Sequence, residues 1–118
     1  MNEVTILHNP RCSKSRQALE LLQQRGITPQ IIQYLDTPPT VEELERILSL
    51  LAMEPRELMR RDEAEYQQLQ LANPALNRRQ LISAMQAHPR LIQRPIVING
   101  NKAVIGRPAE SVLSILET

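Results

Sequence analysis

Hydrophobic positions at the start of the chain follow a strand, helix, strand order. Val4–Leu7 is a short apolar run, which is typical of a buried strand. Residues 13–25 then carry apolar side chains at helical spacing, and Gly26 is a typical residue at a helix end. Residues 30–35 form a second apolar run. Because a helix joins the two predicted strands, the pattern predicts a βαβ unit with parallel strands.

The middle of the chain has a mostly helical pattern. Thr40 and Glu43 form a predicted capping box ahead of a run of apolar residues at helical spacing. Pro55 suits the first turn of a second, short helix. The pattern is weaker over residues 62–71, where we predict one or two helical turns, and it predicts an amphipathic helix over residues 77–87.

A hairpin and a last helix are predicted near the end of the chain. Two apolar runs, residues 96–98 and 102–105, lie on either side of Asn99-Gly100, which is a typical hairpin turn sequence. Pro108 then suits the first turn of a final helix.

The predicted element order defines a fold class. A β-α-β part, a helical middle and a β-β-α part predict an α/β protein with one four-stranded mixed sheet. We interpret residues 1–118 as a single domain with a helical insertion over about residues 40–90.

Composition narrows the function classes. Fourteen Lys and Arg against thirteen Asp and Glu give a formal net charge of +1, so we expect neither a nucleic acid nor a membrane surface as partner. Tyr34 and Tyr66 are the only aromatic residues besides histidine, too few for a surface that stacks bases. The one cysteine cannot form an internal disulfide, and no signal peptide or membrane-length apolar run is present. We therefore expect a cytoplasmic protein.

The single cysteine has the surroundings of a reactive thiol. Cys12 lies in the predicted loop between the first strand and the first helix, where helix N–H groups and the helix dipole favour a thiolate. Arg11, Lys14 and Arg16 surround it. A thiol with an ordinary pKa of about 8.5 is only roughly 3 % ionised at neutral pH, so such a site would greatly increase its reactivity. The alternative is a buried structural cysteine, and the polar neighbours argue against it.

Arginines distant in sequence are candidates for an anion site. The predicted topology brings the Cys12 loop close to Arg94 and Arg107, each of which precedes a proline at an element boundary. Arg60, at the end of its short helix, is a third candidate, with Arg61 as the alternative. Guanidinium groups match tetrahedral oxyanions, although an isolated surface arginine is more often simply solvated.

Two further residues lie close to the cysteine in sequence. His8 could hydrogen-bond or orient the thiolate, or it could be satisfied by the backbone at its strand end. Ser15 stands where a Cys-x-x-Cys motif has its second thiol, and it could donate to the thiolate or substrate, or bond the first helical turn. Metal-ligand spacings and nucleotide-binding motifs are absent, so we expect no metal and no tightly bound cofactor.

Five motifs along the chain together match the pattern of one protein family. They are His8-Asn9-Pro10-Arg11-Cys12, Tyr34-Leu35-Asp36-Thr37-Pro38-Pro39, Glu57-Leu58-Met59-Arg60, Leu91-Ile92-Gln93-Arg94-Pro95-Ile96-Val97 and Arg107-Pro108-Ala109-Glu110. In these motifs the chain resembles the glutathione- and glutaredoxin-coupled arsenate reductases. The resemblance implies a thioredoxin-like fold in which Cys12 attacks arsenate and Arg60, Arg94 and Arg107 hold the oxyanion. It also implies glutathione as co-substrate, glutaredoxin as partner, and a cis proline at Pro95.

Two other functions are compatible with the same fold. A monothiol redox protein would form a mixed disulfide between Cys12 and glutathione without an oxyanion substrate. A binding module similar to the Spx regulators would contact RNA polymerase, but many of those use a Cys-x-x-Cys switch and this chain has Ser15 there. Reduction of arsenate to arsenite by a monomer is the function we expect.

Overall fold

The computed structural model describes residues 3–116 and divides the chain into two units. Among the described residues, one unit contains residues 3–37 and 94–116, and the other contains residues 38–93. The second unit covers the part of the chain where the helical insertion is predicted. The interpretation of the whole chain as a single domain stays a prediction.

The first unit contains a four-stranded mixed sheet, as predicted. The strands are β1 Val4–Leu7, β2 Gln30–Ile32, β3 Ile96–Asn99 and β4 Lys102–Ile105. The strand order is β2-β1-β3-β4, with β1 parallel to β2 and antiparallel to β3, and with β3 antiparallel to β4. β1 and β3 are the central strands; five of their eight residues are buried and the other three are half-buried.

Helix α1, Ser13–Gln24, covers the sheet together with a 3-10 helix, Ala109–Ile115. Ala18 and Leu22 of α1 are fully buried in one hydrophobic core with Val112 of the 3-10 helix. This burial provides the main stabilisation of the unit, because each apolar side chain removed from water contributes about 1.5–3 kcal/mol.

Three details of this unit differ from the sequence prediction. β2 ends at Ile32 instead of residue 35, because the N–H groups of Asp36 and Thr37 donate to the carbonyl of Gln33 and form a turn. The hairpin turn consists of Gly100 and Asn101, one residue later than predicted.

The backbone of Gly100 explains the shift of the hairpin turn. Gly100 supplies the positive φ of 61° that the turn requires, and Asn99 instead pairs with Lys102 in the sheet. The side chain of Asn99 donates to the carbonyl of Ile115 at 2.6 Å. The third difference is the final helix, which is 3-10 instead of α, and within it the hydroxyl of Ser114 donates to the carbonyl of Ser111 at 2.9 Å.

The second unit is helical. Its helices are α2 Val41–Leu51, α3 Pro55–Leu58, α4 Ala64–Gln68, α5 Arg78–Ala87 and the 3-10 helix Pro89–Leu91. Helix α2 packs against α5 and begins with the predicted capping box of Thr40 and Glu43. Helix α5 also begins with a capping box, formed by Asn77 and Gln80. Helix α3 is shorter than predicted, because Met59 leaves the helix and forms a bridge with Ile92. Between residues 3 and 116, every helix is too short or too polar to cross a lipid bilayer.

Gly106 lies at a crowded position directly after β4. Its N–H donates to the carbonyl of Pro95 at 2.9 Å. A Cβ atom here would lie 2.9 Å from Cγ of Pro95 and 3.3 Å from both Cβ of Ala18 and Cγ1 of Val112. The hydrogen of glycine is therefore what allows this close approach of three elements.

We predict that Gly106→Ala lowers the free energy of unfolding by about 1–3 kcal/mol, the usual cost of overpacking a tight core. Urea denaturation measures this change. Gln17→Ala, at an exposed position of α1, is the control and should change the stability by less than about 0.5 kcal/mol. Equal stability of the two variants would contradict the packing argument.

Candidate active site

The Cys12 loop is held by a set of short local hydrogen bonds. Cys12 is the N-cap residue of α1, and its N–H donates to the carbonyl of Asn9 at 3.0 Å. The side-chain oxygen of Asn9 accepts from the N–H of Arg11 at 3.0 Å. Nη1 of Arg16 donates to the carbonyl of Pro10 at 2.8 Å. The loop is thus fixed by its own residues, and the thiol is presented at the start of a helix.

The thiol of Cys12 is buried, yet its surroundings favour the thiolate. Burial is the largest single influence and raises the pKa. The N–H of Ser15, the charge and N–H groups of the Arg94 side chain, and the N–H of Lys14 act in the opposite direction. Together they hold the pKa of Cys12 below its ordinary value, as predicted from the sequence.

The sheet register explains why distant residues meet at the thiol. Leu7, at the end of β1, pairs with Ile96 at the start of β3, and Ile96 pairs with Ile105 at the end of β4. The segments that carry Cys12, Arg94 and Arg107 therefore lie at the same end of the three strands.

Two arginines lie beside the thiol. Nη2 of Arg107 is 3.8 Å from Sγ of Cys12, and Nε of Arg107 donates to the carbonyl of Arg94 at 2.8 Å. Nε and Nη1 of Arg94 are buried and have no hydrogen-bond partner within residues 3–116. The peptide bond between Arg94 and Pro95 is cis, as the family resemblance implied, and the bond between Arg107 and Pro108 is cis as well. Buried guanidinium N–H groups without a partner are suited to binding an anion.

His8 and Ser15 form a buried pair under the loop. Nδ1 of His8 is 2.6 Å from Oγ of Ser15, and Oγ of Ser15 also accepts from the N–H of Asn9 at 3.0 Å. Burial, and secondarily the charge of Arg16, lower the pKa of His8. The His8 imidazole is therefore neutral, and its bond to Ser15 supports the Cys12 loop. The thiolate receives the backbone N–H of Ser15, whereas the Ser15 hydroxyl bonds His8 and the loop backbone.

Arg60 belongs to the unit of residues 38–93. Its N–H donates to the carbonyl of Leu91, and its side chain forms an ion pair with Glu63. Arg61 is exposed. A role of Arg60 in holding an oxyanion stays a prediction.

A cavity of about 320 Å³ adjoins the Cys12 loop. It is lined by loop residues and by the segment that follows β2: His8, Asn9, Pro10, Arg11, Gln33, Leu35 and Asp36. Within the described part of the chain, histidine, cysteine and acidic residues form no cluster that could hold a metal ion.

The structure adds residues that the sequence analysis did not assign. Asn9 fixes the loop, and Glu63 pairs with Arg60. Arg16, expected as one of the charges around Cys12, instead bonds the carbonyl of Pro10. Asn9-Pro10 is a typical turn-forming pair and could have indicated the role of Asn9. The bonds of Arg16 and Glu63 depend on side-chain directions that a sequence pattern does not encode.

A mixed four-stranded sheet, a cysteine at the N-terminus of its first helix and a cis proline directly after Arg94 define a thiol protein with a thioredoxin-like fold. The chain belongs to the ArsC family, whose model matches residues 7–115. The family resemblance read from the sequence is thereby confirmed.

Relatives of known sequence and structure are similar over nearly the whole chain. An arsenate reductase of Neisseria meningitidis is 46 % identical over 117 residues, which cover 98 % of this chain and 100 % of the relative. An arsenate reductase of Haemophilus influenzae is 48 % identical over 96 % of this chain and 98 % of its own. The solved structure of an arsenate reductase from Vibrio cholerae has a TM-score of 0.94 and 49 % identity, covering 97 % of this chain and 98 % of that one.

We predict that Arg94→Gln raises the pKa of the Cys12 thiol, because the substitution removes the positive charge that stabilises the thiolate. The rate of iodoacetamide alkylation as a function of pH measures the pKa. Arg25→Gln, which removes an exposed charge after α1, is the matched control and should leave the profile unchanged. Superimposable profiles for wild type and Arg94→Gln would contradict this arrangement.

The buried His8 predicts a pH dependence of stability. Since its pKa is lowered from 6.5, the unfolded chain binds a proton at higher pH than the folded one, and stability is lost as pH falls through 6.5 toward the folded value. We expect His8→Gln to show a smaller loss of urea stability than wild type over this range. An identical loss in both proteins would exclude His8 as its source.

Proposed function

We propose that this protein reduces arsenate to arsenite and uses the Cys12 thiolate as nucleophile. The observation that carries the proposal is a thiol of lowered pKa beside Arg94, whose Nε and Nη1 are buried without a partner. Arg107, 3.8 Å from the thiol, supplies a second guanidinium group. The similarity to arsenate reductases over nearly the full chain supports arsenate as the oxyanion and an oxidoreductase as the class of enzyme.

The first chemical step is a displacement at arsenic. The Sγ lone pair forms an S–As bond, an As–O bond breaks, and the departing oxygen leaves as water after protonation. Arg94 and Arg107 hold the remaining oxygens and offset the repulsion between thiolate and oxyanion. On the basis of the family resemblance, Arg60 is a further oxyanion ligand.

Two thiol equivalents complete the reaction. Arsenic(V) accepts two electrons to become arsenic(III), and two external thiols are oxidised to one disulfide. The S–As bond then breaks, which returns the Cys12 thiol and releases arsenite, so the water formed in the first step is the only one released overall. Glutathione is proposed to attack the adduct on Cys12, and glutaredoxin to complete the reduction. The single cysteine supports this external supply of thiols, since Cys12 has no second cysteine in the chain with which to form a disulfide.

The compartment and assembly follow from this chemistry. A reaction driven by glutathione needs reducing conditions, so a cytoplasmic location is proposed. Cys12, Arg94 and Arg107 come from one chain, so a monomer is sufficient, with no resident cofactor.

A monothiol redox protein is the second candidate. The lowered pKa of Cys12 favours mixed-disulfide formation with glutathione even in the absence of an oxyanion. Arsenate-independent glutathionylation, without arsenate-dependent consumption of NADPH, would favour this function.

A coupled assay with glutathione, glutaredoxin and NADPH tests the proposed function. We expect Cys12→Ser to abolish arsenate-dependent NADPH consumption, because the nucleophile is lost. Arg94→Ala should raise KM for arsenate by roughly ten- to hundredfold, as expected for loss of a charge-assisted hydrogen bond. Phosphate and sulfate should compete with arsenate.

Arg25→Ala is the control for the arginine variant, since it removes an exposed charge in the same unit. Full turnover by Cys12→Ser, or an unchanged KM in Arg94→Ala, would refute the proposed mechanism.

A further inference from the structure

The cavity beside the Cys12 loop is not used by the proposed displacement at arsenic. Its volume of about 320 Å³ is at the lower end of the range for cavities that bind small molecules. All of the residues that line it belong to the unit that contains the sheet. Cys12, Arg94 and Arg107 are not among them. A ligand in this cavity therefore need not displace an oxyanion that is held beside the thiol.

Two opposite charges line the cavity, those of the Arg11 guanidinium and the Asp36 carboxylate. Within residues 3–116, neither side chain forms an ion pair or a hydrogen bond. Their main chains are nevertheless held in place. The N–H of Arg11 donates to the side-chain oxygen of Asn9 at 3.0 Å, and the N–H of Asp36 donates to the carbonyl of Gln33 at 3.0 Å. The cavity thus offers one cationic and one anionic group to a ligand.

His8 adds a hydrogen-bond donor to the residues that line the cavity. Oγ of Ser15 accepts from the N–H of Asn9, so the hydroxyl proton of Ser15 has Nδ1 of His8 as its acceptor. The neutral imidazole then carries its proton on Nε2. Although His8 is only 6 % exposed, Nε2 is not fully buried, and it has no partner within residues 3–116. This N–H is suited to an acceptor oxygen of a ligand.

We propose that this cavity binds the γ-glutamyl end of glutathione, with Arg11 on its α-carboxylate and Asp36 on its α-ammonium group. The inference rests on the proposed function, in which glutathione supplies the external thiol. The γ-glutamyl end carries both charges, whereas the glycine end of glutathione carries a carboxylate alone. The two charges of the cavity therefore match one end of the peptide and not the other.

The position of the cavity relative to Cys12 fits this assignment. Asn9, Pro10 and Arg11 directly precede Cys12 and line the cavity, whereas Cys12 does not. Several bonds separate the sulfur of glutathione from its γ-glutamyl charges, so a molecule held by that end can have its sulfur outside the cavity. Binding one end beside the Cys12 loop raises the local concentration of the glutathione sulfur at the protein thiol.

The reaction of Cys12 with oxidised glutathione tests the cavity in the absence of arsenate. The Cys12 thiolate attacks one sulfur of the glutathione disulfide, a mixed disulfide forms, and one glutathione thiolate leaves. Hydroxyethyl disulfide undergoes the same exchange but carries no charge. Intact-protein mass spectrometry measures both rate constants, and their ratio is the readout. A variant that only changes the pKa or the accessibility of the Cys12 thiol alters both reactions alike and leaves the ratio unchanged.

We expect Arg11→Gln and Asp36→Asn each to lower the ratio of the rate constant for oxidised glutathione to that for hydroxyethyl disulfide. The expected decrease is about three- to tenfold, as for loss of one charged hydrogen bond at an accessible site. Asp36→Asn is the decisive variant. Oxidised glutathione has a net negative charge at neutral pH, so a general electrostatic effect would make its reaction faster when an acidic residue is lost. A slower reaction indicates that Asp36 binds the ammonium group.

Glu20→Gln and Arg25→Gln are the matched controls, because each removes one exposed charge of the corresponding sign elsewhere in the same unit. Neither should change the ratio. Far-ultraviolet circular dichroism checks that the variants fold. Asp36→Ser provides the same charge test if Asp36→Asn does not fold.

The outcomes separate this inference from the proposed function. An unchanged ratio in Arg11→Gln, or an unchanged or higher ratio in Asp36→Asn, would overturn the assignment of the cavity even if the protein reduces arsenate. Failure of the wild type to react with oxidised glutathione would also overturn it. The expected ratios without arsenate-dependent consumption of NADPH would refute arsenate reduction and retain the glutathione site.

Discussion

The balance between burial of Cys12 and the donors around it is the interaction on which the rest of the site depends. Burial alone would keep the thiol protonated and unreactive. The start of α1 reverses this effect through the N–H groups of Lys14 and Ser15, and Arg94 adds a positive charge. A thiolate stabilised in this way also repels an anionic substrate, so a site for oxyanion chemistry needs positive charge beyond what the thiolate itself requires. The second guanidinium, that of Arg107, meets this need.

The mixed sheet makes this arrangement possible. Antiparallel pairing of β3 with both β1 and β4 places the end of β1, the start of β3 and the end of β4 at one edge. Arg107 then donates to the carbonyl of Arg94, so one arginine helps to position the segment of the other. The unpartnered nitrogens of Arg94 have a cost in the free protein, which binding of an anion would offset.

Much of the fold could be predicted from the sequence. Short apolar runs gave the strands, and Thr40 with Glu43 and Asn77 with Gln80 have the side chains that capping boxes need. Other features could not be predicted, because they depend on competing hydrogen bonds. The pair Asn99-Gly100 predicts a turn that includes Asn99, but Asn99 pairs in the sheet and its side chain donates to the carbonyl of Ile115.

The candidate site was predictable only in part, for the same physical reason. Local charge and helix position indicated a reactive Cys12, and prolines indicated Arg94 and Arg107. The contact of Arg107 with Cys12 joins residues 95 positions apart, so its distance follows only from the complete sheet. The ion pair of Arg60 with Glu63 depends on the chain leaving α3 at Met59, which helical periodicity did not predict.

The central claim is that a tetrahedral oxyanion binds beside an ionised Cys12. The rate of Cys12 alkylation at neutral pH, measured with increasing arsenate, phosphate or sulfate against chloride at equal ionic strength, tests it most directly. The account predicts saturable protection by the tetrahedral anions in wild type and its loss in Arg94→Ala. Alkylation rates that depend on ionic strength alone, whatever the anion, would contradict it.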